Sequence, residues 1–241
     1  MAAVEAGARV LDLACGADSQ TLDAARRVGP RGSVVASDIS ETMLQHVREN
    51  ARAAGLANVT TLAGAAEDLE VAADSFDAVI CRLGLMLFVD PARALAAVRR
   101  ALRPEAKVAV VVFTTPETNP FMAKPMQILL RHAGKTAPSA GRPGIFSLGV
   151  PGVLEQLLAA SGFVGVEQRR LDVPLRMSSA ADTLTMMKEA FGAYRAVIGD
   201  CPQAVQAAAW AEVAETLKTF ETAAGFVAAA EVLVAAGLNP T

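Results

Sequence analysis

The residues with chemistry to offer stand at a few turns of the chain. In VLDLACGADSQTL, Val10 to Leu22, an acid, Asp12, sits in an apolar run that opens into the small-residue turn Ala14, Cys15, Gly16, Ala17, Asp18. A strand feeding a glycine turn suits a nucleotide-like cofactor, because backbone with little side chain can approach the ligand closely. Asp38 ends the next apolar run, Ala65, Ala66 and Glu67 follow the third, and Cys81 and Arg82 end the fourth. Ligands of an open parallel sheet bind beyond the carboxyl ends of its strands, so these positions are expected to line one pocket. There are two histidines, His46 and His132, and three scattered cysteines, Cys15, Cys81 and Cys201. That count suggests no disulfide framework, no CxxC metal pair and no histidine-rich metal site, so no metal is expected.

The elements that must position these residues alternate. ARVLDLA (8–14), SVVASD (33–38), NVTTLAG (58–64), FDAVICR (76–82) and KVAVVVF (107–113) are short apolar runs bounded by Gly, Asp, Asn or Pro. Strands buried on both faces of a parallel sheet require such runs. Between them SQTLDAARRV, SETMLQHVRENARAAG and PARALAAVRRALRP carry apolar residues at helical spacing. Ser40 is placed to cap the second helix and Gly55 to end it; Pro91 suits a first helical turn and Pro104 the end of that helix. Repeated βαβ units predict a doubly wound parallel sheet with right-handed crossovers.

After Phe113 the rhythm changes. A proline- and glycine-rich stretch around one helix, roughly 121–132, reads as a cap over the sheet edge, followed by a helix ending at Gly162, a strand-like run over 164–177 and two helices within 179–223. The tail FVAAAEVLVAAG fits helix or strand by periodicity alone. We therefore expect one domain over 1–241, with a cofactor-binding half at 8–113 and cap or substrate segments at 114–149 and 175–223. The chain of 241 residues is 53% hydrophobic with a net charge of −3 and scattered basic residues. No nucleic-acid partner is expected from such a surface. The longest apolar run is broken by Glu231 and falls short of a membrane span, and the start MAAVEAGARV lacks a basic n-region, so a cytoplasmic protein is expected.

VLDLACGADSQTL, VVASDISETML, LAGAAEDL and SFDAVICRLGLMLFVDPARALAAVRRALRP resemble, in order and spacing, the motifs of class I S-adenosylmethionine (SAM) dependent methyltransferases, the ubiquinone/menaquinone-biosynthesis type above all. The likeness covers about residues 8–113 and extends weakly through FSLGVPGVLEQLLAASGFVGVEQRRLDVPL. It implies a Rossmann-like methyltransferase fold with a mostly parallel seven-stranded sheet and a helical cap, SAM as cofactor, and a small, apolar or aromatic molecule as methyl acceptor. On matching positions it implies that the backbone of Ala14, Gly16 and Ala17 meets the methionine part, with Asp12 orienting its amino group and Asp18 beside it. It implies Asp38 for the ribose hydroxyls, Ile39 and Met43 against adenine, the backbone of Ala65 and Ala66 at the adenine edge with Glu67 next to them in the cofactor pocket, and Arg82 and Leu83 beside the methyl group and the acceptor. A base is needed only for a protonated acceptor, and His132 is the cap residue suited to it.

The chain departs from the family at four places. Asp18 stands where a second glycine is usual and reads equally as a helix cap; Ala65 replaces an acid; Glu105-Ala106 replaces a Gly-Gly turn; and about seven residues precede strand 1, so that the cap or a second copy in a homodimer is expected to roof the pocket. Each lost contact at the cofactor weakens binding by about 1–1.4 kcal/mol, five- to tenfold. Two other readings share parts of the pattern: a methyltransferase-like binding module without catalysis, and a nicotinamide-dependent oxidoreductase, although ACGADS lacks Gly-x-Gly-x-x-Gly. His46 reads as a surface residue, and Tyr194, Trp210, Met177, Met186 and Met187 read as packing.

Overall fold

In a computed structural model, which describes residues 1–17, 19–136 and 142–241, the chain forms two compact units: 1–112 with 143–170 and 233–241, and 113–142 with 171–232. The alternating first half folds as its pattern requires. Strands β1 (Arg9–Leu13), β2 (Ser33–Asp38), β3 (Val59–Ala63), β4 (Phe76–Arg82) and β5 (Leu102–Phe113) alternate with helices α1 (Ser19–Val28), α2 (Glu41–Ala53) and α3 (Pro91–Ala101). All pairings among these strands are parallel. Helix α4 (Pro120–His132), helix α5 (Val153–Ala160) and strand β6 (Val164–Asp172) follow, and β10 (Glu231–Leu238) closes a seven-stranded sheet of order β3-β2-β1-β4-β5-β10-β6. The order reverses at β1, flanked by β2 and β4, which makes the ends of these strands the switch point where ligands of doubly wound sheets bind.

Helix ends follow the sequence signals. The Ser40 hydroxyl accepts the Met43 N–H, Asp90 caps α3 through the Arg93 N–H, and Pro91 occupies the first turn. Helix α3 stops at Ala101, three residues before Pro104, because the chain enters β5 at Leu102. The buried stripe of α2 is Leu44, Val47 and Ala51, with Met43 at its edge, and His46 is exposed.

Three elements differ from the sequence reading, and a fourth that it left open is settled. The run 164–177 is two strands, since Val173 and Pro174 interrupt it; β7 (Leu175–Met177) joins β9 (Gly225–Ala228) and β8 (Glu221–Thr222) in a three-stranded antiparallel sheet. The expected single helix within 180–199 is α6 (Ala180–Ala190) and α7 (Gly192–Ile198), and the Arg195 guanidinium caps the carbonyls of Lys188 and Glu189 where α6 ends. Helix α8 (Gln203–Lys218) stops short of 223 because the following residues turn into the β8–β9 pair. The ambiguous tail is strand. Thr114 N–H donates to the Glu231 carbonyl and Asn239 N–H to the Ala106 carbonyl, a pairing that runs β10 antiparallel to β5. In the second unit Tyr194 is fully buried with its hydroxyl donating to the Met122 carbonyl (2.9 Å), and Met187 is fully buried, both packing as the sequence suggests. No helix among the described residues is long and apolar enough to cross a membrane.

Candidate cofactor site

The parallel register sets Asp12 beside Ala36 and Leu13 beside Ser37, so the turn leaving β1 runs next to the end of β2. Cys15 N–H donates to the Ser37 carbonyl (3.0 Å). Gly16 N–H donates to Asp38 Oδ2 (3.0 Å), and Asp38 Oδ1 accepts the Ser40 N–H (2.9 Å). One half-buried carboxylate thus fastens the glycine turn and the start of α2 together, and each of its oxygens keeps acceptor capacity. Gly16 has φ 60, the left-handed region in which glycine carries no penalty. Ile39, beside this carboxylate, is 78% exposed, an apolar side chain left uncovered.

Asp12 is fully buried. Its Oδ1 accepts from Gln20 Nε2 (2.6 Å) and its Oδ2 from the Thr21 hydroxyl (2.7 Å), so it ties the first turn of α1 to the end of β1. Burial pushes its carboxyl from 3.8 up to about 6; the two hydrogen bonds and the charge of Arg82 oppose the rise, and Asp38 adds to it. The buried Cys15 and Cys81 thiols are pushed up to about 12, chiefly by burial, which rules out a thiolate nucleophile at neutral pH.

The end of β4 meets the same turn. Arg82, exposed, donates from Nη2 to the Ser19 hydroxyl (2.6 Å) at the start of α1, and Leu83 adopts φ 61 with its N–H on the Val111 carbonyl (2.8 Å). Gly84 has no room for a side chain: a Cβ there would lie 2.5 Å from Ala14 Cβ and 3.2 Å from Cys81 Sγ. Ala14, itself at φ 53, therefore rests on Gly84, and the turns after β1 and β4 fit together at this contact.

After β3, Ala65 precedes a short 3-10 turn, Ala66–Asp68, and lines a cleft of about 240 Å³ with Ser37, Ala63 and Gly64. Glu67 turns elsewhere: its Oε1 accepts the Val89 (2.9 Å) and Asp90 (3.2 Å) N–H groups ahead of α3. Asp68 pairs with Arg93. A larger groove, about 420 Å³, follows α3 past Arg93 and Arg100, but those guanidiniums are already engaged, by Asp68 and by the Leu69 carbonyl.

The structure thus brings Asp12, Ala14, Gly16, Asp38, Arg82 and Leu83 together, leaves Ile39 and Met43 at the adjoining start of α2, and engages the Glu67 carboxylate with the segment before α3. Ala17 follows Gly16 in the same turn, and Asp18 lies outside the described residues. His132 belongs to the second unit, its Nε2 2.9 Å from Glu212 Oε2, while Arg131 pairs with the other oxygen. The hydrogen bond from His132 is the main cause that holds the Glu212 carboxyl below its ordinary value. Sequence reasoning passed over Ser19, Gln20, Thr21, Ser37 and Gly84. Gly84, two residues past a strand end, carried a readable signal; the donors at the start of α1 carried none until Asp12 was known to be buried. Among the described residues no cluster of three or more His, Cys, Asp or Glu side chains is disposed to hold a metal.

A seven-stranded sheet with this strand order, and a glycine turn bonded to the acid of the next strand, is a Rossmann-like fold of the methyltransferase class. Fold neighbours agree: the YcgJ protein of Bacillus subtilis superposes with a TM-score of 0.63 over 100% of this chain and 95% of its own at 18% identity, a likeness of fold. The chain belongs to the family described as "Methyltransferase domain", matched over residues 4–132, within the class I SAM-dependent methyltransferases. The nocamycin O-methyltransferase of Saccharothrix syringae is 32% identical over 183 residues, 72% of this chain and 65% of its own length. The ubiquinone/menaquinone biosynthesis C-methyltransferase UbiE of Proteus mirabilis is 38% identical over 114 residues, 47% of this chain and 45% of its own. The chain thus spans less than two thirds of these curated relatives. Family membership sets aside the nicotinamide reading.

Proposed function

We propose that the protein binds SAM at the carboxyl ends of β1 to β4 and transfers its methyl group to a small, apolar or aromatic acceptor. The bond from Gly16 N–H to the Asp38 carboxylate carries this reading, because it fixes the glycine turn and the ribose acid, 22 residues apart, at adjoining strand ends. The spare acceptor capacity of Asp38 fits two ribose hydroxyls, and the uncovered Ile39, with Met43, fits an adenine face. The backbone of Ala14, Gly16 and Ala17 would receive the methionine part and Asp12 would favour its ammonium. Ala65 and Ala66 would meet the adenine edge, and Arg82 and Leu83 would border the acceptor. Bound SAM supplies an electrophilic methyl on a sulfonium, which leaves with the C–S bond electrons on sulfur as the acceptor forms its new bond. The protein's task is then mainly alignment. A base is needed only where the acceptor is protonated. The relatives named above divide between O- and C-methylation, and the reading commits to a small-molecule acceptor.

Calorimetric titration with SAM and S-adenosylhomocysteine (SAH) tests this. Heat of binding is expected with both and at least tenfold weaker binding in Asp38→Asn; no heat with either at millimolar concentration overturns it. One observation favours a weaker, binding-only site: Ala65 stands in place of an acid, and the carboxylates of Glu67 and Asp68 are engaged by the segment before α3 and by Arg93. If that reading holds, the wild type releases no SAH from SAM with any acceptor while still binding it.

A further inference from the structure

Strand β6, Val164–Asp172, ends the order of the seven-stranded sheet, with β10 on one side and, among the described residues, no strand on the other. Just past it the Val173 N–H donates to the Ala230 carbonyl (2.8 Å), towards β10. Backbone groups of a strand point alternately to its two sides, so those of Val166, Gln168, Arg170 and Asp172 face the open edge. A row of unpaired N–H and C=O groups of this kind is a template for another strand. The side chains are uncovered too: along β6 only Val166 and Gln168 are partly buried, and the rest are exposed.

The charges of this strand are idle. Glu167, Arg169, Arg170 and Asp172 make no ion pair or side-chain hydrogen bond with any described residue, whereas Gln168 Nε2 donates to Glu155 Oε2 on α5 (2.9 Å). Edges are commonly guarded by charge, because like charges facing each other oppose pairing. Here the signs alternate along one face, Glu167 then Arg169, so the guard excludes some pairings and favours another. In an antiparallel pair, facing residues either both turn their backbone groups to the shared edge or both turn them away. Two copies of β6 can therefore meet with Gln168 facing Gln168, and then Glu167 faces Arg169 on both sides of the centre. The next register in either direction sets Glu167 against Glu167 or Arg169 against Arg169.

We infer that β6 is a dimerisation edge: two copies of this chain pair through it, antiparallel about a twofold axis at Gln168, with Glu167 of each copy against Arg169 of the partner subunit. A twofold contact of this kind closes on itself and stops at two chains. Val164 and Leu171, exposed apolar residues near the two ends of the strand, come beside the opposite end of the second copy. The inference stands apart from the methyltransferase reading, since β6 lies three strands beyond β4 in the sheet order.

Sedimentation velocity on the full chain, followed from high to low micromolar concentration, tests it. The wild type is expected to sediment as a dimer that dissociates on dilution. Glu167→Arg and Arg169→Glu each set like charges across the pair, and each is expected to weaken the dimer at least tenfold. Mixing the two variants puts opposite charges back at both contacts, so a heterodimer close to wild-type affinity is expected. The two changes made in one chain are expected to restore a homodimer for the same reason. Mixing does not repair a chain that fails to fold, and the heterodimer therefore separates lost pairing from lost folding. A monomeric wild type, a dimer that either single variant leaves intact, or a mixture of the two that stays monomeric overturns the inference.

Discussion

At the scale of single residues, Asp12 shows what an acid does when the fold buries it. The folded protein holds its proton up to about pH 6, whereas the unfolded chain releases it near 3.8, so the native state binds the extra proton between those values. Stability contributed by this group therefore falls as pH rises from about 4 to 6, and the full cost is present above 6. Two units correspond to about 3 kcal/mol as an upper figure. Asp12→Asn removes the charge, can still accept from Gln20 and can donate to the Thr21 hydroxyl. The variant is expected to melt several degrees above the wild type at pH 7.5, with the gain shrinking to about a third near pH 4.5. A pH-independent difference in melting temperature would contradict this account. Ala65 offers a second residue-scale check. Ala65→Asp supplies an acceptor at the proposed adenine edge and is expected to tighten SAH binding by roughly five- to tenfold, one hydrogen bond's worth, in calorimetry. Asp12 and Asp38 were legible in the sequence as acids at strand ends. Glu67 was legible only as an acid, because its place among the N–H groups before α3 depends on a loop 22 residues away.

At the scale of elements, the contact between the turns after β1 and β4 is the most exacting. Gly84→Ala would press its methyl against Ala14 Cβ at 2.5 Å, an overlap that backbone must absorb. A destabilisation of about 1–3 kcal/mol is expected, with SAH binding at least tenfold weaker as the glycine turn moves. Ala14→Gly in the same chain removes the opposing methyl and relieves a residue at φ 53, so the double variant is expected to recover most of both losses. Additive losses, read from a double-mutant cycle of melting and binding, would count against the contact. Strand β5 holds a separate strained point. Glu105 adopts φ 66 while its N–H bonds the Asn239 carbonyl (2.8 Å). Glu105→Gly is expected to gain about 0.5–1 kcal/mol in denaturant melting without changing SAH affinity, since the penalty for a side chain in the left-handed region is removed. The sequence showed a departure from Gly-Gly here but not that β5 begins before it. Propensity likewise could not break the 164–177 run, because the break depends on partners distant in sequence: the Ala230 carbonyl for Val173, and a second sheet for Leu175–Met177.

At the scale of the whole molecule, the alternation of apolar runs with amphipathic helices was enough to lay out β1 to β5 and their parallel order, since a strand buried on both faces leaves its mark in composition. The final strand was not readable in that way: FVAAAEVLVAAG satisfies helix and strand alike, and it is the hydrogen bonds from Thr114 and Asn239, more than a hundred residues apart, that draw its second part, β10, into the seven-stranded sheet. A cofactor held at the carboxyl ends of β1 to β4, as proposed, must then show in the global stability, because a ligand bound only by the folded state adds RT ln(1 + [L]/Kd). With SAH at a hundred times its Kd the gain is about 2.7 kcal/mol. For a chain of this length each kcal/mol raises the melting temperature by about 2–4 °C, which gives a shift of roughly 5–10 °C. Asp38→Asn, with binding at least tenfold weaker, is expected to lose about half of that shift or more at the same SAH concentration, while a surface change far from the turn, His46→Gln on the exposed face of α2, keeps it. Equal shifts in wild type and Asp38→Asn would place the nucleotide away from the β1–β2 ends and undo the assignment of the ribose acid.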